Sequence, residues 1–201
     1  MTTIAIIIGS TRPRRRAAMV ADWVLDIANR QPATRAGEVG YELVDLAEFD
    51  LPLLDEEVPA ALGSYANPHT LAWAAAMARF DGFVFVTPEY NHSMPAALKN
   101  AIDYLFAEWS DKAAGFVSYG LHGGVRAVEH LRLTLAEAKL ACVRTTVGLS
   151  LFTDFTLTDM TQPGTLTPGS HHEPVLARML GEIVDWADAL APLRARAKAA
   201  V

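Results

Sequence analysis

Arginine stands at positions 12, 14, 15 and 16 of a chain whose formal net charge is −6. The cluster follows Gly9, Ser10 and Thr11, which in turn follow the apolar run Ile4 to Ile8, and a helical pattern begins just after it. Gly9 lets the chain turn sharply. The two hydroxyls and the guanidinium forks donate hydrogen bonds, and a helix start adds free N–H groups. Together these groups suit a phosphate dianion. Read for charge alone, the arginines would be a solvated face or a nucleic-acid patch. An acidic chain repels a nucleic-acid backbone over most of its surface, so no nucleic-acid partner is expected. Not all four arginines can face one phosphate, which leaves Arg14 and Arg16 as candidates for the surface.

A second stretch carries different chemistry. Phe83-Val84-Phe85-Val86 runs into Thr87-Pro88-Glu89-Tyr90-Asn91-His92-Ser93-Met94-Pro95. A flat heterocycle needs main-chain donors and acceptors at its edge and a surface to lie on, and a rigid Pro-Glu-Tyr-Asn turn supplies both. Ser93 is expected to cap the helix that follows, with Pro95 in its first turn.

Several alternatives are absent from the sequence. It has no G-x-x-x-x-G-K-[ST] loop for a nucleoside triphosphate and no G-x-G-x-x-G after the first apolar run. No cysteine lies in the arginine loop, and no acidic pair stands at the end of that run. Cys142 is the sole cysteine, so no intramolecular disulfide can form, and a buried inert thiol is expected. His171-His172 lacks companions at metal-ligand spacing, and no metal is expected. His92 and His122 fall in the candidate loops without a base–nucleophile arrangement, so no catalytic side chain is expected. Lys99 and Asp103 read as an i, i+4 surface pair.

These loops must be positioned by strands and helices. Ile4 to Ile8, Phe83 to Val86, Ala114 to Ser118 and Val143 to Val147 read as buried strands, and Tyr41 to Leu46 alternates like an edge strand. Helical periodicity links Val20, Trp23, Val24 and Ile27, and likewise Leu98, Ala101, Ile102 and Leu105. Asn67-Pro68 opens a helix toward Phe80; Val128, Leu131 and Leu135 mark another, and Leu176 to Leu190 the last. Strands alternating with helices predict an α/β doubly wound, flavodoxin-like five-stranded parallel sheet, order 2-1-3-4-5, with helices on both faces. Ligands of such sheets bind beyond the strand carboxyl ends, where both candidate loops fall. Asp50 to Ala66 and Leu151 to His172 fit no element, and loops that long are usually functional, interfacial or mobile.

Gly9-Ser10-Thr11-Arg12-Pro13, Pro88-Glu89-Tyr90-Asn91-His92-Ser93, Pro95 and Leu98-Lys99-Asn100-Ala101-Ile102-Asp103 resemble the NADPH-dependent FMN reductase family of flavodoxin-like proteins. That family includes flavin, quinone, azo-dye and chromate reductases. The resemblance continues through Trp109 and Ser118-Tyr119-Gly120 to Gly123-Gly124-Val125-Arg126. It implies that Ser10, Arg12 and Arg15, with the amides of Ala17 and Ala18, hold an FMN phosphate. It implies that Pro88, Glu89, Tyr90, Asn91, Ser118, Tyr119, Gly120, Gly123 and Gly124 line the isoalloxazine ring. Relatives often carry glycine where Arg14 and Ala17 stand and an aromatic residue where Met94 stands, which bears on the pocket above the flavin. The resemblance further implies a homodimer or homotetramer.

With FMN bound, hydride would come from NADPH or NADH and pass to a small-molecule acceptor in a ping-pong cycle, the flavin carrying the chemistry. A non-enzymatic flavodoxin-type electron carrier and a flavin-free interaction protein are the alternatives. True flavodoxins use phosphate loops with little positive charge, unlike this one. The 201 residues, 51% hydrophobic and 20% charged, are enough for one domain over 1–201 with a sizeable core. The single cysteine and the N-terminal Ile4 to Ile8 run, too short for a signal peptide or a membrane span, predict a cytoplasmic protein with no membrane partner.

Overall fold

A computed structural model describes the backbone of residues 1–199 and the side chains of residues 1–197. Its centre is a sheet of strands β1 (Thr2–Ile8), β2 (Val39–Asp45), β3 (Gly82–Pro88), β4 (Ala113–Gly120) and β5 (Ala141–Ser150). All pairings within it are parallel and the order is β2-β1-β3-β4-β5, with β2 at an edge as its alternation predicts. Both faces are covered. Along β1, Ile4, Ile6 and Ile8 pack into one core while Ala5 and Ile7 pack into the other. Burial on both sides is why this strand reads as an unbroken apolar run.

One core contains α1 (Ala17–Arg30) and α6 (His172–Ala199); the other contains α3 (Pro68–Ala78), α4 (Ala96–Asp103) and α5 (Val125–Glu137). A short α2 (Pro32–Arg35) follows α1. The second core is aromatic: Trp73, Phe83 and Phe85 surround Trp109 in edge and tilted contacts, and Phe116 stacks on Phe85. Each buried indole N–H finds a carbonyl, Trp73 on Ala101 at 2.8 Å and Trp109 on Ile102 at 3.1 Å. These bonds discharge the cost of burying a donor.

Helix ends depart from expectation in detail. Asn67 stands at the N-cap of α3, but its side chain donates to Asp55 instead of capping. Helix α4 starts at Ala96 with Pro95 at the cap position, and Ser93 does not cap it. The Ser93 hydroxyl is engaged 2.9 Å from His130 Nδ1, which explains the difference. The pattern through Leu105 outruns α4, because Leu105 is buried from the turn after it.

Both unassigned stretches are built. Within Asp50 to Ala66, Glu56 accepts the N–H groups of Ala66 and Asn67, and Asp55 accepts the Tyr104 hydroxyl at 2.9 Å. Leu151 to His172 contains an antiparallel hairpin of β6 (Phe155–Thr156) and β7 (Thr165–Leu166). No helix of the described residues is long and apolar enough to cross a membrane.

Gly181 lies inside α6, and a Cβ built there meets nothing within 4 Å. Glycine in a helix interior costs roughly 0.5–1 kcal/mol relative to alanine. Gly181→Ala is therefore expected to raise the free energy of unfolding by about that amount. A lower urea midpoint in the variant would contradict this.

Candidate functional site

The parallel register sets the carboxyl ends of three strands side by side. Ile8 pairs with Val86, Val86 with Val117, and Pro88 with Tyr119. The loops after β1, β3 and β4 consequently leave the sheet together, where β1 passes between β2 and β3 and the strand order reverses.

The first loop begins with the Gly9 N–H on the Val86 carbonyl at 2.9 Å and turns through an Arg15 N–H to Arg12 carbonyl bond at 3.2 Å. Arg14 holds φ +56°, the left-handed region, which glycine adopts without the steric cost an arginine meets there. No side chain caps α1, whose N-cap residue is Arg16, so its first N–H groups remain available to an anion. The four arginines divide. Arg15 forms an ion pair with Asp45 at the end of β2, and its Nε is buried without a partner. Arg16 donates through Nε to the Pro163 carbonyl and through Nη2 to that of Gln162, both at 2.8 Å, so it is not a free surface side chain. Arg12 and Arg14 are exposed and have no ion-pair partner among the described residues.

The loop after β3 is a tight turn. Tyr90 and Ser93 exchange backbone hydrogen bonds at 2.9 and 3.1 Å, around Asn91 and His92 with φ of +49° and +68°. Positive φ at both central residues is the type I′ pattern, whose twist suits a closely returning chain. Tyr90 reaches back, its hydroxyl 3.2 Å from Ser10 Oγ, so the first two loops are joined. Glu89 turns its carboxylate, only 9% exposed, away to α5, where it receives Arg126 Nε at 2.7 Å, Nη2 at 2.6 Å and the Arg126 backbone N–H at 3.2 Å. Its backbone N–H meets the Tyr119 carbonyl at 3.1 Å. That residue faces the site through its main chain.

After β4, the buried Ser118 hydroxyl donates to the Gly123 carbonyl at 2.6 Å. Its role in the structure is to fold the Gly123-Gly124 turn, so the hydroxyl is not free for a ring edge. Burial and the neighbouring Tyr90 push the Tyr119 hydroxyl well above the usual phenol range, against the opposing pull of Arg16, Arg15 and Arg12. A neutral, proton-bearing tyrosine follows.

These loops enclose a cavity of about 290 Å³. Of the residues expected from sequence, Arg12, Arg15, Pro88, Glu89, Tyr90, Tyr119 and Gly120 form its wall. Ser10, Ala17, Ala18, Asn91, Ser118, Gly123 and Gly124 stand behind or beside it. Met94, expected above the flavin, is instead buried in the aromatic core and lines a neighbouring groove with His130 and Leu133. His92 and His122 are exposed and outside the wall. Cys142 is half-buried, and burial pushes its thiol up to about 11, which leaves it protonated and unreactive.

Sequence reading missed a further part of the wall, formed by Met160, Thr161 and Gln162 of the β6–β7 hairpin with Leu151. The dipeptide Pro163-Gly164 between Thr-rich segments was the available signal for a turn. The hairpin root is fixed by Asp154, 3% exposed, which accepts the N–H groups of Ser150 and Gly169 and the Thr153 hydroxyl and sits 3.0 Å from His172 Nε2. Burial alone would raise this carboxyl, but the hydrogen bonds from Gly169, Ser150 and Thr153, with the electrostatic influence of the neighbouring His172, outweigh it and hold it below the ordinary range. His171-His172 therefore belongs to this anchor. Among the described residues no group of three or more His, Cys, Asp or Glu side chains could hold a metal ion.

Known proteins share both the sequence and the fold. The chain is 39% identical over 150 residues to an NAD(P)H-dependent FMN reductase of Schizosaccharomyces pombe, covering 74% of this chain and 72% of that protein. It is 33% identical over 150 residues to a quinone reductase of Pseudomonas putida, covering 71% and 74%. Among solved structures, the flavoenzyme NAD(P)H:(acceptor) oxidoreductase FerB of Paracoccus denitrificans superposes with a TM-score of 0.68 at 21% identity, covering 94% of this chain and 98% of that one. The sequence model described as NADPH-dependent FMN reductase matches residues 2–154, a span that holds every loop of the cavity except the hairpin wall, and the chain belongs to that family.

Proposed function

We propose that this chain binds FMN in the 290 Å³ cavity, takes hydride from NADPH or NADH, and reduces a flavin, quinone or similar small acceptor by a ping-pong cycle. Family membership makes FMN the cofactor and NAD(P)H the donor. The observation that carries the reading is convergence: an uncapped helix start, unpaired guanidinium groups and the Pro88–Tyr90 and Tyr119–Gly120 backbones meet on one cavity. Its size lies near the lower end of ligand cavities, roughly 300 Å³. The residues fit the group, because the buried Arg15 Nε lacks an acceptor and the α1 N–H groups lack a cap, and a phosphate supplies both.

Bound there, the isoalloxazine supplies the hydride chemistry, and the protein's part is binding, orientation and electrostatics. Ser10, Arg12, Arg15 and the Ala17 and Ala18 amides hold the phosphate. The Pro88, Glu89, Tyr90, Tyr119 and Gly120 segments would border the ring, with Asn91, Ser118, Gly123 and Gly124 shaping the turns behind them. The Glu89–Arg126 pair keeps these two segments in register. In this reading no side chain needs to act as acid or base.

Purified protein supplied with FMN should oxidise NADPH or NADH steadily with a quinone or free flavin, giving parallel double-reciprocal lines as acceptor is varied. A non-enzymatic carrier would give almost no turnover without a partner reductase, and that result would overturn the proposal. The exposed Leu53, Leu54 and Leu62, on the stretch hydrogen-bonded to α4 through Asn100, are proposed to be covered by a second copy of the chain. Elution at monomer size in dilute buffer would contradict the dimer.

A further inference from the structure

Resting on the FMN reading, we infer that Arg16 is a positioning residue: it latches the β6–β7 hairpin shut as a wall of the cofactor cavity, so that flavin stays bound as a prosthetic group while nicotinamide and acceptor exchange. Its guanidinium does not meet a carboxylate. It meets the carbonyls of Gln162 and Pro163, each at 2.8 Å, at the far end of the hairpin. Three successive residues there, Met160, Thr161 and Gln162, line the cavity together with Arg12 to Arg16.

Phe155, buried against Tyr119, and the partly buried Leu166 seat the two strands on the core, but the segment between the strands has little else to hold it in place. Its ladder is two residues long on each strand, and an isolated two-stranded hairpin is marginal in water. The Asp154 anchor fixes the root, and Asp159 ties the tip only to itself through Thr161 and Gln162. Among the described residues, the two Arg16 bonds are the hydrogen bonds that join residues 157–164 to the rest of the chain. Leu157 adds a partly buried apolar contact.

Position makes the latch matter. Arg16 is the N-cap residue of the helix whose first amides face the phosphate site. Because carbonyls leave its positive charge unneutralised, Arg16 serves the phosphate at longer range while its fork binds the hairpin. A phosphate in the loop and a closed hairpin thus favour the same arginine rotamer. Opening the wall requires breaking two charge-assisted hydrogen bonds, which slows cofactor escape. A fork is needed for two divergent bonds, and a lysine ammonium at this position supplies a point charge without that geometry.

The test is hydrogen exchange on the flavin-free protein, paired with FMN dissociation from the loaded protein, for wild type, Arg16→Ala and Arg16→Lys. In Arg16→Ala, amides 158–162 should exchange about tenfold faster or more, with those near Asp154 unchanged, and FMN should leave about tenfold faster. Arg16→Lys should fall between wild type and alanine in both measurements. Unchanged exchange of 158–162 in the alanine variant would remove the latch. Faster exchange with an unaltered FMN dissociation rate would show that the hairpin does not retain the cofactor, and would equally overturn the inference. Failure of wild-type protein to take up FMN would refute the functional reading and the retention role together, while the flavin-free exchange comparison would still decide whether Arg16 holds the hairpin.

Discussion

Gly124→Ala is expected to destabilise the protein by about 3 kcal/mol, from two sources that act independently. Gly124 has φ +70°, where an L side chain costs about 1 kcal/mol or more. A Cβ there would also lie 2.9 Å from Ser118 Cβ, from Tyr119 N and from Tyr119 O. Two of those atoms are backbone of a central strand, so the clash cannot be relieved by a side chain swinging aside, and overpacking of this kind costs about 1–3 kcal/mol. Gly37→Ala is the control. Its φ is +74° but nothing lies within 4 Å of its Cβ position, so it should lose only the conformational part. Urea unfolding of both variants separates the two sources. Equal midpoints would mean that the turn yields to the methyl group. Since Ser118 donates to the neighbouring Gly123 carbonyl, movement of this turn should also reshape the Tyr119–Gly120 wall and weaken FMN binding.

Arg12→Ala is expected to lower FMN affinity by roughly 10- to 100-fold, the about 1.5–3 kcal/mol of a hydrogen bond to a charged group. Arg12 lines the cavity without an ion-pair partner among the described residues, whereas Arg15 already answers Asp45 and Arg16 the hairpin carbonyls. Folding stability should hardly change, since no native contact of the protein itself is removed. The effect should grow as salt is reduced, because the site is open to solvent and screening weakens exposed charge pairs. Calorimetric titration of flavin-free protein with FMN, against riboflavin as a ligand lacking phosphate, reads it directly. An equal loss of affinity for riboflavin would place Arg12 at the ring instead of at the phosphate. An unchanged FMN affinity would move the phosphate contact elsewhere in the loop.

Much of the fold was legible because its signals are local. Five short apolar runs separated by helical periodicity leave few arrangements, and right-handed crossovers and buried parallel strands narrow them to the order β2-β1-β3-β4-β5. Helix ends were less legible. Ser93 has the chemistry of a cap, yet a histidine 37 positions away in α5 takes its hydroxyl, a contact that no local pattern encodes. The hairpin was missed for a related reason. Its strands are two residues long, too short to carry a period of two, and only its Pro163-Gly164 turn stands out.

By itself the sequence determined which two loops would wall the cavity: a cationic segment directly after one apolar strand and a proline-bounded turn directly after another are local patterns that need no tertiary contact to be recognised. Only the tertiary structure decided what each side chain does. Asp45 claims Arg15, the 162–163 carbonyls claim Arg16, and Arg126 claims Glu89, across separations of 30 to 147 positions. Those partners meet because the sheet order brings distant strand ends to one edge. Hydrogen bonds and ion pairs act over a few ångströms of space, whatever the distance along the chain.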